Sequence, residues 1–393
     1  MMPPLRRPPS RRVFRRRSSS LRSSPRGASS RGVPSFHGGG AVRLRIAELF
    51  AVAGLIGLAG ACSAGPAYSV AEPIACASGE VAGQGSSAQA NAVSAWIKNY
   101  QVSCADATLS YSSIGSGAGV TAFIGGTGDF AGSDSPLSAA DRPKAAARCR
   151  GAAIHLPMVV GPVALAYNVA GVSSLRLQPD TIARIFDGRI AAWNDPEIKR
   201  DNPGAALPAT PIKTVHRSDS SGTTDNFTKF LAGTAGPDWN HGPGSTWKAS
   251  SGLAVKGSNQ VVATIERSDG AIGYVEASYA RFHNLPTAAV GAGGGTFTEL
   301  SDEAASRMIG SARVTGAGGD LQLAIDYKAA SSEAYPIVLV TYEIVCKTGT
   351  PALVKSFFAY VSSPAGQDAA TRLGYAPLPE DLRARVAKAV AAL

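Results

Sequence analysis

The stretch AIHLPMVVGPVALAYNV, Ala153 to Val169, decides how the rest of the chain is arranged. It is apolar almost throughout, yet Pro157, Gly161 and Pro162 break any continuous helix, because proline removes a backbone donor and clashes with the preceding turn. It therefore reads as one long β run. A second run of the same character, YPIVLVTYEIVC, spans Tyr335 to Cys346. Two such strands, far apart in sequence, point to connections that carry the chain between two lobes. If they pair antiparallel, Cys149, just before the first, comes near Cys346, at the end of the second. Cys76 and Cys104 each lie shortly before a further candidate strand, so adjacent parallel strands would bring them together. Of three possible connectivities, the expected disulfides are Cys76–Cys104 and Cys149–Cys346. No two of these cysteines have C-x₂₋₄-C spacing and no histidine pair is suitably placed, which argues for disulfides in an exported protein rather than zinc.

Outward from these runs, from Glu80 on, short apolar strands alternate with longer amphipathic segments, the pattern of an α/β fold. EVAGQG (80–85) and ATLSYSSIG (107–115) read as strands. SAQANAVSAWIKNYQ (87–101) reads as a helix with Ala92, Val93, Trp96 and Ile97 on one face, and AGVTAFIGG (118–126) as a short one. PDTIARIFDGRIAAWND (179–195) reads as helical, 213–217 as the end of a strand, and 258–280 as helix, turn and strand. Residues 296–325 read as helical with breaks, and 352–393 as mainly helical. No 20–50-residue repeat occurs.

At 393 residues and 45% apolar content the chain can bury a large core in more than one lobe. Its formal charge of +10 suggests nucleic acid or a membrane surface until it is located. Residues 1–61 hold twelve of the 38 basic residues, all arginine, and one of the 28 acidic ones, Glu48, which leaves 26 basic against 27 acidic residues beyond Ala61. The basic character belongs to the leader, and nucleic-acid binding by the folded part is not expected. Arg43 and Arg45 precede the apolar LFAVAGLIGLAGA (49–61), which has signal-peptide length and is too short to span a bilayer. Cys62 follows at once, as in a bacterial lipoprotein signal whose cysteine is lipidated, although Ala59 stands where such signals usually have leucine. Ala59-Gly60-Ala61 also fits an ordinary cleavage site. The Arg/Ser/Pro-rich residues 1–41 cannot pack a core; they form a long n-region, or translation starts at Val42.

Four loops combine small polar residues and glycine: GQGSSAQ (83–89), SIGSGAGV (113–120), GDFAGSDSPLS (128–138) and RSDSSGTTDNF (217–227). Three lead into a candidate helix start, where free N–H groups and the helix dipole favour an anion. One such loop alone is ordinarily only a helix cap, Asp219 could be that capping residue, and Arg217 could be a surface charge. Together the four point to an anion site. The dinucleotide fingerprint, the P-loop and the serine elbow G-x-S-x-G are all absent. Among five histidines, His155 and His216 lie nearest these loops but sit among strand residues.

These loops, with IFDGRIAAWNDP (185–196) and YPIVLVTYEIVC, resemble the PstS-type phosphate-binding proteins of ABC phosphate importers, especially their actinobacterial lipoprotein branch. The resemblance runs from about Cys76 to the C-terminus. It implies an α/β, two-lobed class II periplasmic-binding-protein fold, each lobe a mixed sheet flanked by helices, joined by a two-strand hinge. Residues 1–61 would be leader and signal peptide and 62–75 a lipid-anchored linker. Lobe one would comprise 76–168 plus 333–393, and lobe two 169–332. The implied phosphate ligands are the Ser87 hydroxyl, the Ala88 N–H, Ser116, Asp134, Arg217, Ser221, Gly222 and Thr223, with Asp219 orienting Arg217. Ser87 and Ala88 depart from the family's usual threonine and bulky apolar residue, which leaves the wall of the site less apolar. The implied partners are inorganic phosphate, the importer's permease subunits and, through Cys62, the outer face of the cell membrane; a monomer without cofactor, metal or catalytic residue is expected.

The chemistry of this set is selective. Many donors and one arginine offset the desolvation of a dianion. Asp134 suits an anion that brings its own proton: hydrogen phosphate donates a P–O–H, whereas sulfate would leave the carboxylate an unpaired acceptor beside a like charge. The competing readings are a secreted phosphate-ester hydrolase on the same scaffold, using Ser221 or Thr223 as nucleophile, and an adhesion-type surface lipoprotein, which leaves Asp134 unexplained.

Overall fold

The computed structural model describes residues 73–292 and 295–393; Cys62, the leader and most of the 62–75 linker lie outside the described residues. One eight-stranded sheet organises the described chain. Its strands in chain order are β1 (Gly79–Gly85), β2 (Ala107–Ser112), β3 (Phe130–Ser133), β4 (Ala153–Asn168), β5 (Lys213–Arg217), β6 (Leu253–Val255), β7 (Ala271–Glu276) and β8 (Val338–Cys346). They lie side by side in the order β2-β1-β3-β8-β4-β7-β5-β6.

The decisive stretch is one sixteen-residue strand, β4, buried everywhere but at its two ends. Along its start it pairs antiparallel with β8, from Ala153↔Cys346 to Pro162↔Val338. Along its end it pairs antiparallel with β7, from Val163↔Glu276 to Asn168↔Ala271. The residues that exclude a helix explain the change of partner. Gly161 sits at the switch because a Cβ there would lie 2.9 Å from both Glu276 Cγ and Leu339 Cδ1. Pro157 lies beside a register shift at Thr341/Tyr342, where β4 carries one residue more than β8, as proline in a strand requires. The mixed sheets expected for two lobes thus share β4: parallel β1, β2 and β3 with β8 on one side, parallel β5, β6 and β7 on the other.

Both expected disulfides are present, Cys76–Cys104 with Cα atoms 5.4 Å apart and Cys149–Cys346 with 5.2 Å. The strand register places them: Gly79 pairs with Ala107, each three residues after its cysteine, and Ala153 pairs with Cys346 itself. Cys149–Cys346 closes a loop over a separation of 197 residues. In the loop-entropy account, the paired Cys149→Ser/Cys346→Ser change should therefore lower unfolding free energy by about 5 kcal/mol, measured by denaturant titration.

Two helical expectations need correction. In 296–325 only Asp302–Gly310 is a helix; Gly318 and Gly319 take positive φ and a Cβ at Gly316 would strike the Asp320 carbonyl, so the chain turns between short strands instead. The helix at 179–195 ends at Phe186, shortly before Gly188 at φ 81°. On the helix α1 (Ala90–Ser103), Tyr100 joins Ala92, Val93 and Trp96 in the core, and Ile97 packs half-buried against it. Among the described residues no helix is long and apolar enough to cross a membrane.

Candidate functional site

In an α/β sheet the chain leaves the C-terminal ends of parallel strands through loops that gather at one edge, the usual place for a ligand. Four such loops meet here. After β1 come Ser86, Ser87 and Ala88; after β2, Gly115 and the helix α2 (Ser116–Ile124); after β3, Asp134; after β5, Asp219, Ser221 and the helix α3 (Gly222–Thr234). The loops from the two sides of the sheet touch directly: the Gly117 N–H donates to the Ser220 carbonyl at 3.1 Å, and Gly222 N–H to Ser116 Oγ at 3.2 Å. Asn226 Nδ2 on α3 donates to the Asp134 carbonyl at 2.8 Å.

Asp134 is 3% exposed and sits at the centre of this contact. Its Oδ1 accepts from Ser86 Oγ at 2.6 Å and from Thr341 Oγ1 at 2.8 Å. Among the described residues its Oδ2 has only Ser116 Oγ and Thr223 Oγ1, both at 3.4 Å. Burial raises the carboxyl's pKa, opposed by the bonds from Ser86 and Thr341, the charge of Arg217 and the Ser116 hydroxyl.

Arg217, also 3% exposed, forms a two-pronged pair with Asp219, Nε–Oδ1 at 2.7 Å and Nη2–Oδ2 at 2.5 Å. Burial alone would raise the Asp219 carboxyl, but the bonds and charge of Arg217, with the Gly257 N–H at 3.1 Å, hold it below its usual range. The guanidinium is thereby aimed by a carboxylate that stays ionised.

Ser221 caps α3, accepting from the Thr224 N–H at 3.2 Å, which leaves its own proton able to donate. Gly222 admits no side chain: a Cβ would lie 2.5 Å from Asp134 Cβ and 2.7 Å from Ser116 Oγ. Gly222→Ala should therefore prise the two sides apart and weaken anion binding by roughly tenfold or more, the scale of an overpacked contact, as read by titration.

The β1 loop makes further contacts of its own. Ser87 Oγ lies 2.9 Å from Ser258 Oγ and accepts from the Ser258 N–H at 3.2 Å, across to the helix α4 (Gly257–Glu266). Its neighbour Ser86 reaches Asp134 instead, and the Ala88 N–H donates to Ser86 Oγ at 3.0 Å. Ser86, Asn226, Ser258 and Thr341 thus contact the expected site residues, and sequence reasoning missed them. Ser86 lies in the first of the four glycine-rich loops; Thr341 had one signal, a threonine directly after the apolar run PIVLV (336–340).

Both nearby histidines are tied to the scaffold. His155 Nδ1 lies 2.7 Å from Asp320 Oδ1 and its Nε2 accepts from the Leu137 N–H at 2.9 Å. His216, whose pKa burial lowers, stacks on Trp247 with ring centroids 4.9 Å apart. Among the described residues no group of three or more His, Cys, Asp or Glu is placed to hold a metal ion.

Known proteins are similar to this chain over most of its length. A PBP superfamily domain matches residues 70–365. The phosphate-binding protein PstS 3 of Mycobacterium leprae (strain TN) is 42% identical over 315 residues, 79% of this chain and 85% of that protein. PstS 2 of Mycobacterium tuberculosis (strain ATCC 25618 / H37Rv) is 40% identical over 325 residues, 80% of this chain and 87% of that protein. Among solved structures, the periplasmic phosphate-binding protein PfluDING, bound with phosphate, superposes with a TM-score of 0.62 at 25% identity, covering 78% of this chain and 93% of its own. The fold is that of the periplasmic binding proteins, and the chain belongs to their PstS-type phosphate-binding family.

Proposed function

We propose that this chain captures one inorganic phosphate outside the cytoplasm and delivers it to the permease of an ABC phosphate importer. The observation that carries the reading is Asp134, a buried acceptor inside a cradle otherwise made of donors. Arg217 and the N–H groups at the start of α3 supply the positive side of the site. The hydroxyls of Ser87, Ser116, Ser221 and Thr223 and the Ala88 N–H complete the shell around the oxygens. Asp134 takes the proton of hydrogen phosphate, and sulfate, which has none to give, is rejected by roughly 1–3 kcal/mol or more.

Ligand contacts drawn from both sides of the sheet make closure depend on the anion. Residues 76–168 with 333–393 form one lobe and 169–332 the other, rocking about β4 and β8, and the closed state is the form that docks on the permease. Cys62 carries the lipid that holds the monomer at the membrane surface, with 62–75 as tether. The chain acts as a receptor and not as an enzyme; its relatives are named as phosphate-binding proteins, not hydrolases. Equilibrium dialysis of protein stripped of ligand by partial unfolding and refolded tests the reading. Labelled phosphate should saturate at one per chain with sulfate a poor competitor, and a chromogenic phosphate ester should not turn over. Retention of neither anion, or ester turnover, would overturn it.

A further inference from the structure

The two oxygens of Asp134 are held unequally. Oδ1 receives two donors at ordinary hydroxyl distances, Ser86 at 2.6 Å and Thr341 at 2.8 Å. The hydroxyls nearest Oδ2 stand at 3.4 Å, outside the usual O–H···O range. Resting on the phosphate reading above, we propose that Thr341, together with Ser86, is a specificity-determining positioning residue. By saturating Oδ1 the pair keeps Asp134 an ionised acceptor and leaves Oδ2 as the atom that takes the ligand's proton.

The backbone places Thr341 for this task. It is fully buried on β8, at the register shift with β4, one residue before Tyr342 pairs with Ser133. The hydroxyl thus reaches Asp134, the residue after Ser133, from a crossover strand and not from a ligand loop. A threonine side chain is stiff at χ1, so the donor is fixed before any ligand arrives.

The other groups around Asp134 make these two hydrogen bonds decisive. Arg217 on β5 favours the carboxylate. The charge of Asp134 acts on Glu343 on β8, and burial above all pushes that carboxyl up to about 8, so it is largely uncharged at neutral pH. The Tyr111 and Tyr279 phenols, both raised by burial, are neutral there too. Burial of Asp134 itself works against ionisation, so each donor lost moves it toward the neutral acid. A protonated Asp134 is a donor, and a donor no longer rejects sulfate.

Phosphate and sulfate affinities measured by competition dialysis across pH 5 to 9 test this. Thr341→Val keeps the shape and removes the hydroxyl. At neutral pH its phosphate-to-sulfate ratio should fall about tenfold, and the pH at which discrimination is lost should rise by about one unit. Thr341→Ser restores the donor and should restore both readouts, which a purely packing role would not produce. Ser86→Ala removes the other donor to Oδ1 and should shift both in the same direction, a second test should T341V fail to fold. A discriminating wild type beside a T341V or S86A with unchanged ratio and pH profile overturns the role of the pair alone. A wild type that holds both anions equally overturns the phosphate reading, and this proposal with it.

Discussion

Asp134→Asn should collapse the preference for phosphate over sulfate, weakening phosphate by about ten- to a hundredfold while sulfate gains. The surroundings of the side chain fix how the amide sits. Ser86 and Thr341 donate to one oxygen and demand an acceptor there, so the asparagine carbonyl takes the Oδ1 place and its NH₂ the Oδ2 place. The group facing the ligand is then a donor. It opposes the proton of hydrogen phosphate and welcomes any bare oxyanion oxygen. A hydrogen bond to a charged group is worth about 1.5–3 kcal/mol, which sets the size of the loss. The substitution keeps volume and relieves a buried charge, so the fold should survive, and titration calorimetry with each anion reads the result.

Arg217→Met should cost more, because it removes the anion's charge partner and leaves Asp219 an ion without a counterion. Of the partners that hold its pKa down, Asp219 keeps the Gly257 N–H and its own backbone N–H. Breaking a buried pair by removing one member typically costs about 3–5 kcal/mol, and a lost charge-assisted contact lowers affinity by roughly a hundredfold or more. Adding Asp219→Asn should return much of the stability and none of the binding. Thermal melts and phosphate titrations of the single and double variants separate the two effects. Recovery of binding in the double variant would mean that Arg217 serves the fold and not the anion.

What the sequence made legible follows from local physics. Pro157, Gly161 and Pro162 rule out a helix wherever they stand, so the crossover strand is legible in the run's own residues. The cysteines sit at or just before paired strand ends, so their pairing followed from the strands. Arg217 and Asp219 are two residues apart, and their pairing is local. The illegible parts depend on tertiary approach. Which of Ser86 and Ser87 faces Asp134 is set by the turn after Gly85, at φ 146°, where a Cβ would meet the Gly132 carbonyl at 2.0 Å. Thr341 lies 207 residues from its partner, and only the register of β8 against β3 and β4 brings it there. The partner change along β4 falls at Gly161 and Pro162, but which two strands meet there depends on their tertiary approach.

Calorimetric titration of the ligand-stripped protein with phosphate and with sulfate tests the central claim most directly. The account predicts one tight phosphate per chain, with sulfate weaker by roughly tenfold to a hundredfold or more, the cost of leaving the Asp134 carboxylate unpaired beside a like charge. Equal affinity for the two anions would contradict it.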